Sequence, residues 1–448
     1  MTKFSEHKPQ RVPESASRPR TRPDGEVRAR WAWTEQSVWT DRMLTALETG
    51  VNGGRWHSLI DKVHDEANLF WSFTQVARNQ GAAGVDHVTI DQFAKGLVPR
   101  LKRLTKTLAE GSYQPHDVRR VWIDKPGTND KRPLGIPTVR DRVVQTALRH
   151  VIEPIFERDF AEHSYGFRPG RGCKDALRRV DQLVKTGYRY VVDADLKSYF
   201  DTIPHEGLLE LVSRKISDSR VLALIALFLK QGVLDGLDRW TPEEGSPQGA
   251  VISPLLSNIY LDPLDHRMAQ QGFEMVRYAD DFVILCRDRE TAEAALQEVR
   301  NWTAKASLTL HPEKTAIVDA ETEGFEFLGY HFHREHRWPR KKSLNKLKAT
   351  IRAKTQRTNG HSLQSIIADV NPTLRGWFEY FKHSHRYPFS TLDGWIRMRL
   401  RSILRKRQRK KGRGRGRDHQ RWPNASFADA GLFSLVAAHR AACQSSKR

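Results

Sequence analysis

The chain has 448 residues, a hydrophobic fraction of 38%, a net charge of +22 and a pI near 10.0. So basic a protein points to a polyanionic partner, nucleic acid first and an anionic membrane surface second. There is no apolar run of about eighteen residues and no signal-peptide core. The three cysteines (Cys173, Cys286, Cys443) form no C-x-x-C pair, which argues against disulfides or Cys-ligated zinc. The expectation is a reduced, cytoplasmic protein without a membrane span.

Residues 1–30 are rich in Pro, Arg, Ser and Glu and poor in apolar groups, so disorder is expected there. From Trp31 to Arg78 the pattern is helical, and Gly81 to Asp86 (GAAGVD) breaks it. Residues 91–112 read as one helix, with Phe93, Leu97, Leu101 and Leu104 on a face. Val118 to Ile123 and Arg132 to Ile136 flank a Lys125-Pro126-Gly127 turn and predict a basic hairpin. A helix follows from Asp141 to Glu153.

The middle alternates strand and helix. Tyr188 to Leu196 is β-rich, and a helix follows Pro204. Pro254 to Gln270 is helical, Val276 to Cys286 reads as a hairpin, 291–306 as a helix, and Glu326 to Phe332 as a final strand. From Arg340 the chain reads as helical and basic. Asn371-Pro372 is expected to start one helix, and Ser390-x-x-Asp393 to open another as a capping box. Residues 397–421 hold thirteen Lys and Arg but only one acid, Asp418. That block predicts a phosphate-binding arm or a solvated tail. The pattern as a whole argues an α+β fold.

Three elements carry candidate chemistry. Arg277 to Asp281 (RYADD) sits between apolar strands, so Asp280 and Asp281 fall at a hairpin tip. Adjacent anions repel each other, and hard oxygen ligands suit Mg²⁺; taken alone, the pair is equally an ordinary turn. Asp193 and Asp195 share a strand face, where a strand-end acid is costly unless paired or metal-bound. Glu244 to Gly249 (EGSPQG) is a tight loop before a helix, and by itself also reads as a plain turn.

In this order the elements resemble the reverse transcriptase/maturases encoded by bacterial group II introns. The resemblance runs through GAAGVD (81–86), RPLGIP (132–137), YGFRPG (165–170), DLKSYF (195–200), SPQG (246–249), YADD (278–281), HPEKT (311–315) and FLG (327–329). It continues through LRGW (374–377), DGWIR (393–397), RWPN (421–424) and GLFS (431–434), and so covers about residues 50–440.

The resemblance implies a right-hand polymerase: fingers, a palm with an antiparallel sheet and an all-helical thumb. The expected parts are a disordered extension (1–35), a helical part of the fingers (36–112), fingers and palm (113–335), a thumb or maturase domain (336–411) and a basic tail (412–448). Two Mg²⁺ would be held by Asp195, Asp280, Asp281 and the Leu196 carbonyl, with Asp193 a supporting acid. Lys125 and Arg132 would hold the triphosphate. Phe200 would exclude a ribose 2′-hydroxyl, Gln248 would sit against the nucleotide, and Lys314 would protonate pyrophosphate.

Nucleic-acid contacts are expected at Arg168, Arg375, Arg397, Arg405, Lys406, Arg407, Arg409, Lys410 and Lys411, although a salt-bridged Arg168 is an equal reading. Core packing is favoured for the thumb aromatics. The chain offers no HNH endonuclease ligands after Arg421, so no DNA-cleaving domain is expected. Implied partners are intron RNA as template, a DNA primer or target, and dNTPs. The protein would act as a monomer or homodimer, nucleoid-associated when on DNA. Two other readings stay open: a maturase or RNA chaperone without polymerase activity, and a domesticated reverse transcriptase of DNA repair or phage defence.

Overall fold

The computed structural model describes residues 24–124, 131–412, 414 and 416–445. Lys125, in the predicted hairpin turn, lies outside them. The N-terminal layer comprises α1 (Asp24–Arg30), α2 (Asp41–Thr49), α3 (Ile60–Val63), α4 (Glu66–Arg78), α5 (Ile90–Ala94) and α6 (Leu97–Glu110). The expected disorder fails at its C-terminal end. Val27 and Trp31 are buried, and Arg28 and Arg30 pair with Asp41 and Glu48, which fastens α1 to α2. The single helix predicted over 91–112 is two, divided at Gly96.

The fingers hairpin is β1 (Val118–Asp124) and β2 (Lys131–Ile136), antiparallel with Ile123 opposite Arg132. It is followed by α7 (Val139–Glu157), α8 (Cys173–Lys185), β3 (Tyr190–Asp195), α9 (His205–Ser213) and α10 (Ser219–Leu229). A short hairpin of β4 (Val233–Asp235) and β5 (Asp238–Trp240) then widens the fingers sheet to the order β2-β1-β4-β5. The palm continues with α11 (Ser253–Gln270), β6 (Glu274–Tyr278), β7 (Asp281–Cys286), α12 (Arg289–Lys305) and β8 (Ala316–Asp319), and its sheet order is β6-β7-β3-β8.

Strand alternation gives the palm sheet two apolar faces. Val192, Ala194, Phe282 and Ile284 join the large core shared with α11, α12 and the N-terminal helices. Val191, Val283 and Leu285 pack with α8 on the other face. The single strand expected over Glu326 to Phe332 is instead a turn between β9 (Phe325–Phe327) and β10 (Tyr330–His333), with β11 (His336–Pro339) completing a three-stranded sheet. Leu328 and Gly329, both at positive φ, make that turn.

The thumb is built on α13 (Lys341–Lys354), α14 (Leu363–Phe381) and α15 (Tyr387–Arg407). Asn371-Pro372 lies inside α14 rather than at its start; Ser362 caps that helix by accepting from the Ser365 N–H. The buried stripe of Ile366, Ile367, Val370 and Leu374 runs through the proline, so tertiary burial overrides the local break. Ser390 and Asp393 likewise lie inside α15. Asp393 is buried and caps a different helix, α18, after the short α16 (Asp418–Arg421) and α17 (Asn424–Asp429). It accepts from Ser434 Oγ and from the N–H groups of Leu435 and Val436 at the start of α18 (Leu435–Ser445).

The expected boundary between a thumb ending at 411 and a basic tail from 412 is also corrected. Phe427 and Leu435 are buried in the thumb core, and Arg401 on α15 donates to the Trp422 carbonyl and Asn424 Oδ1. Interspersed apolar residues let most of this basic segment fold. Among the described residues no helix is long and apolar enough to cross a membrane.

Candidate active site

The antiparallel register of β3 and β7 places Asp195 opposite Asp281 and Asp193 opposite Val283. Asp193, Asp195 and Asp281 therefore project from one face of the sheet. Asp280 comes from the two-residue loop that joins β6 to β7, where Tyr278 pairs with Asp281. Ala279 in that loop has φ 60, a left-handed conformation that alanine seldom adopts.

The surroundings explain how this strained loop is held. Arg277 is fully buried and donates from Nε to Asp265 Oδ1 at 2.7 Å. Its Nη1 donates to Asn258 Oδ1 at 2.9 Å and to the Ala279 carbonyl at 2.8 Å. Asn258 in turn donates to the Gly166 carbonyl. Gly166 packs so closely on the loop that a Cβ there would lie 2.2 Å from the Ala279 nitrogen. The YGFRPG and YADD segments are thus two halves of one support. Sequence reasoning missed this network, although Asn258 and Asp265, two turns apart on one helix, carried the signal.

The acids strain one another electrostatically. Loss of surrounding water, then repulsion from Asp193, Asp280 and Asp195, pushes Asp281 up to about 7. Burial and Asp195 likewise push Asp193 up to about 6. Asp280 is raised by burial and Asp195, while Arg132 and Arg277 oppose the shift. The charge of Arg132 on the fingers hairpin therefore reaches the acids. Lys314 lies on the loop after α12, and its Nζ meets Asp195 Oδ2 at 2.6 Å. Among the described residues no three His, Cys, Asp or Glu side chains converge into a preformed metal cluster.

A cavity under the fingers hairpin is lined by Phe200, Gln248, Asp201, Arg120 and Pro133. Phe200 follows β3 on a short 3₁₀ turn and packs edge-on against Tyr199 and Phe167. The SPQG loop is pinned on both sides: Ser246 N–H donates to the Phe200 carbonyl at 2.6 Å, and Gly135 N–H to the Gln248 carbonyl at 2.6 Å. Gly249 has φ 105, and a Cβ there would approach the Gly135 carbonyl to 2.5 Å.

Several expected nucleic-acid contacts are placed differently. Arg168 is buried, paired with Glu157 and bonded to the Ala161 and Ser164 carbonyls. It cannot meet a nucleic acid without breaking these contacts, so it braces the loop that precedes α8. Arg405 bonds Asp418, and Arg407 bonds the Asn359 and His361 carbonyls. Arg397 lies 3.8 Å from Asp393, and Arg375 is exposed over the Phe433 ring. Arg357, Lys406, Arg409, Lys410 and Lys411 line a pocket at the thumb surface.

A palm with three acids at a strand-and-hairpin tip, a basic fingers hairpin over it and a helical thumb after it defines a right-hand nucleic-acid polymerase. Residues 123–332 match the family described as reverse transcriptase (RNA-dependent DNA polymerase), and residues 344–422 the group II intron maturase-specific domain. Protein YkfC of Escherichia coli K12 is 34% identical over 348 residues, covering 68% of this chain and 87% of that protein. The group II intron-encoded protein LtrA of Lactococcus lactis is 38% identical over 231 residues, covering 51% of this chain and 36% of LtrA. An uncharacterized 91 kDa protein in the cob intron of Schizosaccharomyces pombe is 30% identical over 305 residues, covering 55% of this chain and 37% of that protein. The chain belongs to the group II intron-encoded reverse transcriptase/maturases, which are RNA-directed DNA polymerases.

Proposed function

We propose that this chain copies RNA into DNA at Asp195, Asp280 and Asp281, and that it assists the splicing and mobility of an intron RNA. The observation that carries the catalytic part is the pairing of Asp195 with Asp281 beside the Asp280 loop. Burial and the repulsion of neighbouring carboxylates raise the pKa of Asp280 and Asp281, and a bound divalent cation removes that repulsion. An all-oxygen donor set of carboxylates fits Mg²⁺. The Asp195 carbonyl accepts from the His311 N–H. The Leu196 carbonyl would complete the donor set.

Reverse transcriptases are in general dependent on divalent metal. Two Mg²⁺ held by these groups would supply charge neutralisation and acidify the primer 3′-hydroxyl. The 3′-hydroxyl gives up its proton to solvent, its oxygen bonds to the α-phosphorus, the α–β bridging bond breaks, and pyrophosphate leaves. Arg132, with Lys125, holds the triphosphate. Phe200 closes the space a 2′-hydroxyl would need, and Gln248 rests against the nucleotide. Lys314, whose Nζ meets Asp195 Oδ2, would pass a proton to pyrophosphate.

Primer extension on an RNA template with dNTPs and Mg²⁺ tests this. Wild type makes cDNA, and Asp280→Ala loses at least about 10³-fold in rate, because several kcal/mol of charge stabilisation depend on the acid. Equal rates would remove the site. Phe200→Ala should admit ribonucleotides; unchanged discrimination would take the gating role from Phe200.

A further inference from the structure

The fingers hairpin has two faces. Its register puts Arg132 and Ile123 on one of them, and Arg120, Trp122, Pro133 and Gly135 on the other. The first face carries the arginine whose charge reaches the palm acids. The second roofs the cavity that Phe200, Asp201 and Gln248 also line. Asp201, Glu243 and Glu244 set three carboxylates in that lining against the guanidinium of Arg120. Such a lining repels a triphosphate, which therefore belongs to the Arg132 face.

Arg120 is clamped on the second face. Its guanidinium carbon lies 5.8 Å from the Trp122 ring centre and 5.3 Å from that of Trp240. Trp240 is the last residue of β5, and Trp122 donates from Nε1 to Asp235 Oδ2 of β4 at 2.9 Å. The short β4–β5 hairpin thus holds both rings. Arg120 also faces Asp201: partial loss of water raises that carboxyl's pKa, and the Arg120 charge opposes the rise. Asp201 Oδ2 in turn accepts from Gln248 Nε2 at 3.5 Å.

The backbones beneath these side chains are locked together. The Gly245 N–H donates to the Ile203 carbonyl at 2.8 Å, and His205 Nε2 lies 2.7 Å from the Gly245 carbonyl. A Cβ at Gly245 would come within 2.8 Å of the Asp201 carbonyl oxygen. The turn that carries Asp201 and the loop that carries Gln248 therefore move as one, and what is left to fix is the Gln248 amide itself.

We propose that Arg120 and Asp201 are positioning residues for the incoming nucleotide. Trp122 and Trp240 hold Arg120, Arg120 holds Asp201, and Asp201 sets the direction of the Gln248 amide. An ionised carboxylate only accepts hydrogen bonds, so it selects Nε2 and turns Oε1 the other way. Without that partner both amide orientations are open. The inference rests on the proposed contact of Gln248 with the nucleotide and adds the groups that hold it.

The test is single-turnover primer extension on an RNA template by the full chain, with dNTP concentration varied. Asp201→Ala should raise the half-saturating dNTP concentration at least about threefold, the loss of a hydrogen bond to a charged acceptor. The rate at saturation should stay within about twofold of wild type, because the contact acts on nucleotide binding. Arg120→Met should shift the half-saturating concentration in the same direction. Adding Asp201→Ala to Gln248→Ala should raise it no further than Gln248→Ala alone, because the two act as one unit. Additive effects, or an unchanged half-saturating concentration in Asp201→Ala, would overturn the proposal. A fall in the saturating rate together with a lowered thermal unfolding midpoint would reduce Asp201 to a support of the fold. An Arg120→Met chain identical to wild type would take Arg120 out of the chain of contacts. A wild type that makes no cDNA would sink the polymerase reading and this proposal with it, whereas a wild type that extends primers beside an unaltered Asp201→Ala would sink this proposal alone.

Discussion

Among the described residues two arginines are fully buried, and they are buried differently. Arg277, in the palm, faces the Asp265 carboxylate with Nε and Nη2 along one edge of its guanidinium. Burial acts to lower its pKa, yet Asp265 more than offsets this and the net shift is upward. Arg401, in the thumb, is held by the Trp422 carbonyl, Asn424 Oδ1 and the Phe427 ring. Burial and then Arg397 lower its pKa, and Asp418 only partly opposes them. The palm therefore neutralises its buried charge and uses it as a fixed strut under a strained loop. The thumb carries a cation inward on neutral acceptors, because that cation ties the basic C-terminal segment to α15.

The largest expected effect tests the palm half of this contrast. Arg277→Met strands the Asp265 charge in the core and should cost about 3–5 kcal/mol in urea unfolding, with primer extension falling alongside. Arg401→Met leaves only neutral acceptors unpaired and should cost about 1–3 kcal/mol. Equal losses would erase the distinction between the two arginines. Next comes the cap that links α15 to α18: Asp393→Ala should cost about 1 kcal/mol and raise proteolysis after residue 430 before any in the palm. Palm cleavage appearing first would show that the C-terminal segment does not depend on this contact.

The smallest effect is a dependence on pH. Glu153 on α7 is a half-buried acid with incomplete pairing, 3.5 Å from Arg149, and the counterpart of Arg401. Burial, opposed by Arg149 and aided by Glu157, raises it from 4.5 to about 7. Between those values the unfolded chain releases its proton while the folded one keeps it. Stability from this group is therefore present at low pH and lost as pH rises through about 7. Glu153→Gln should flatten that part of the stability profile measured by thermal unfolding. A profile identical to wild type would mean that the carboxyl is paired after all.

Much of the candidate site was legible because its parts are local. Asp193 and Asp195 share a face by strand alternation alone, and the apolar runs around Asp280-Asp281 mark a hairpin tip. The ordered motifs supplied the polymerase and its family. Legibility failed where burial outweighed local preference. Pro372 and Asp393 carry strong cap chemistry, but both lie inside longer helices because the buried stripes of α14 and α15 run through them. Arg168 read equally as a nucleic-acid contact or a salt-bridged arginine, and burial beside Glu157 makes it a brace. The basic block after 397 looked like a tail, yet Phe427 and Leu435 give it a core.

What the sequence determined by itself was many of the main elements, the face each acid takes and the chemistry they can share. These follow from periods of two and of 3.6 residues, which any stretch of chain carries within itself. Only the tertiary structure decided which distant groups meet: Asn258 and Asp265 with Arg277, Lys314 with Asp195, and Asp393 with the start of α18. Such contacts depend on how sheets and helices pack, and no local pattern encodes the partner of a buried charge.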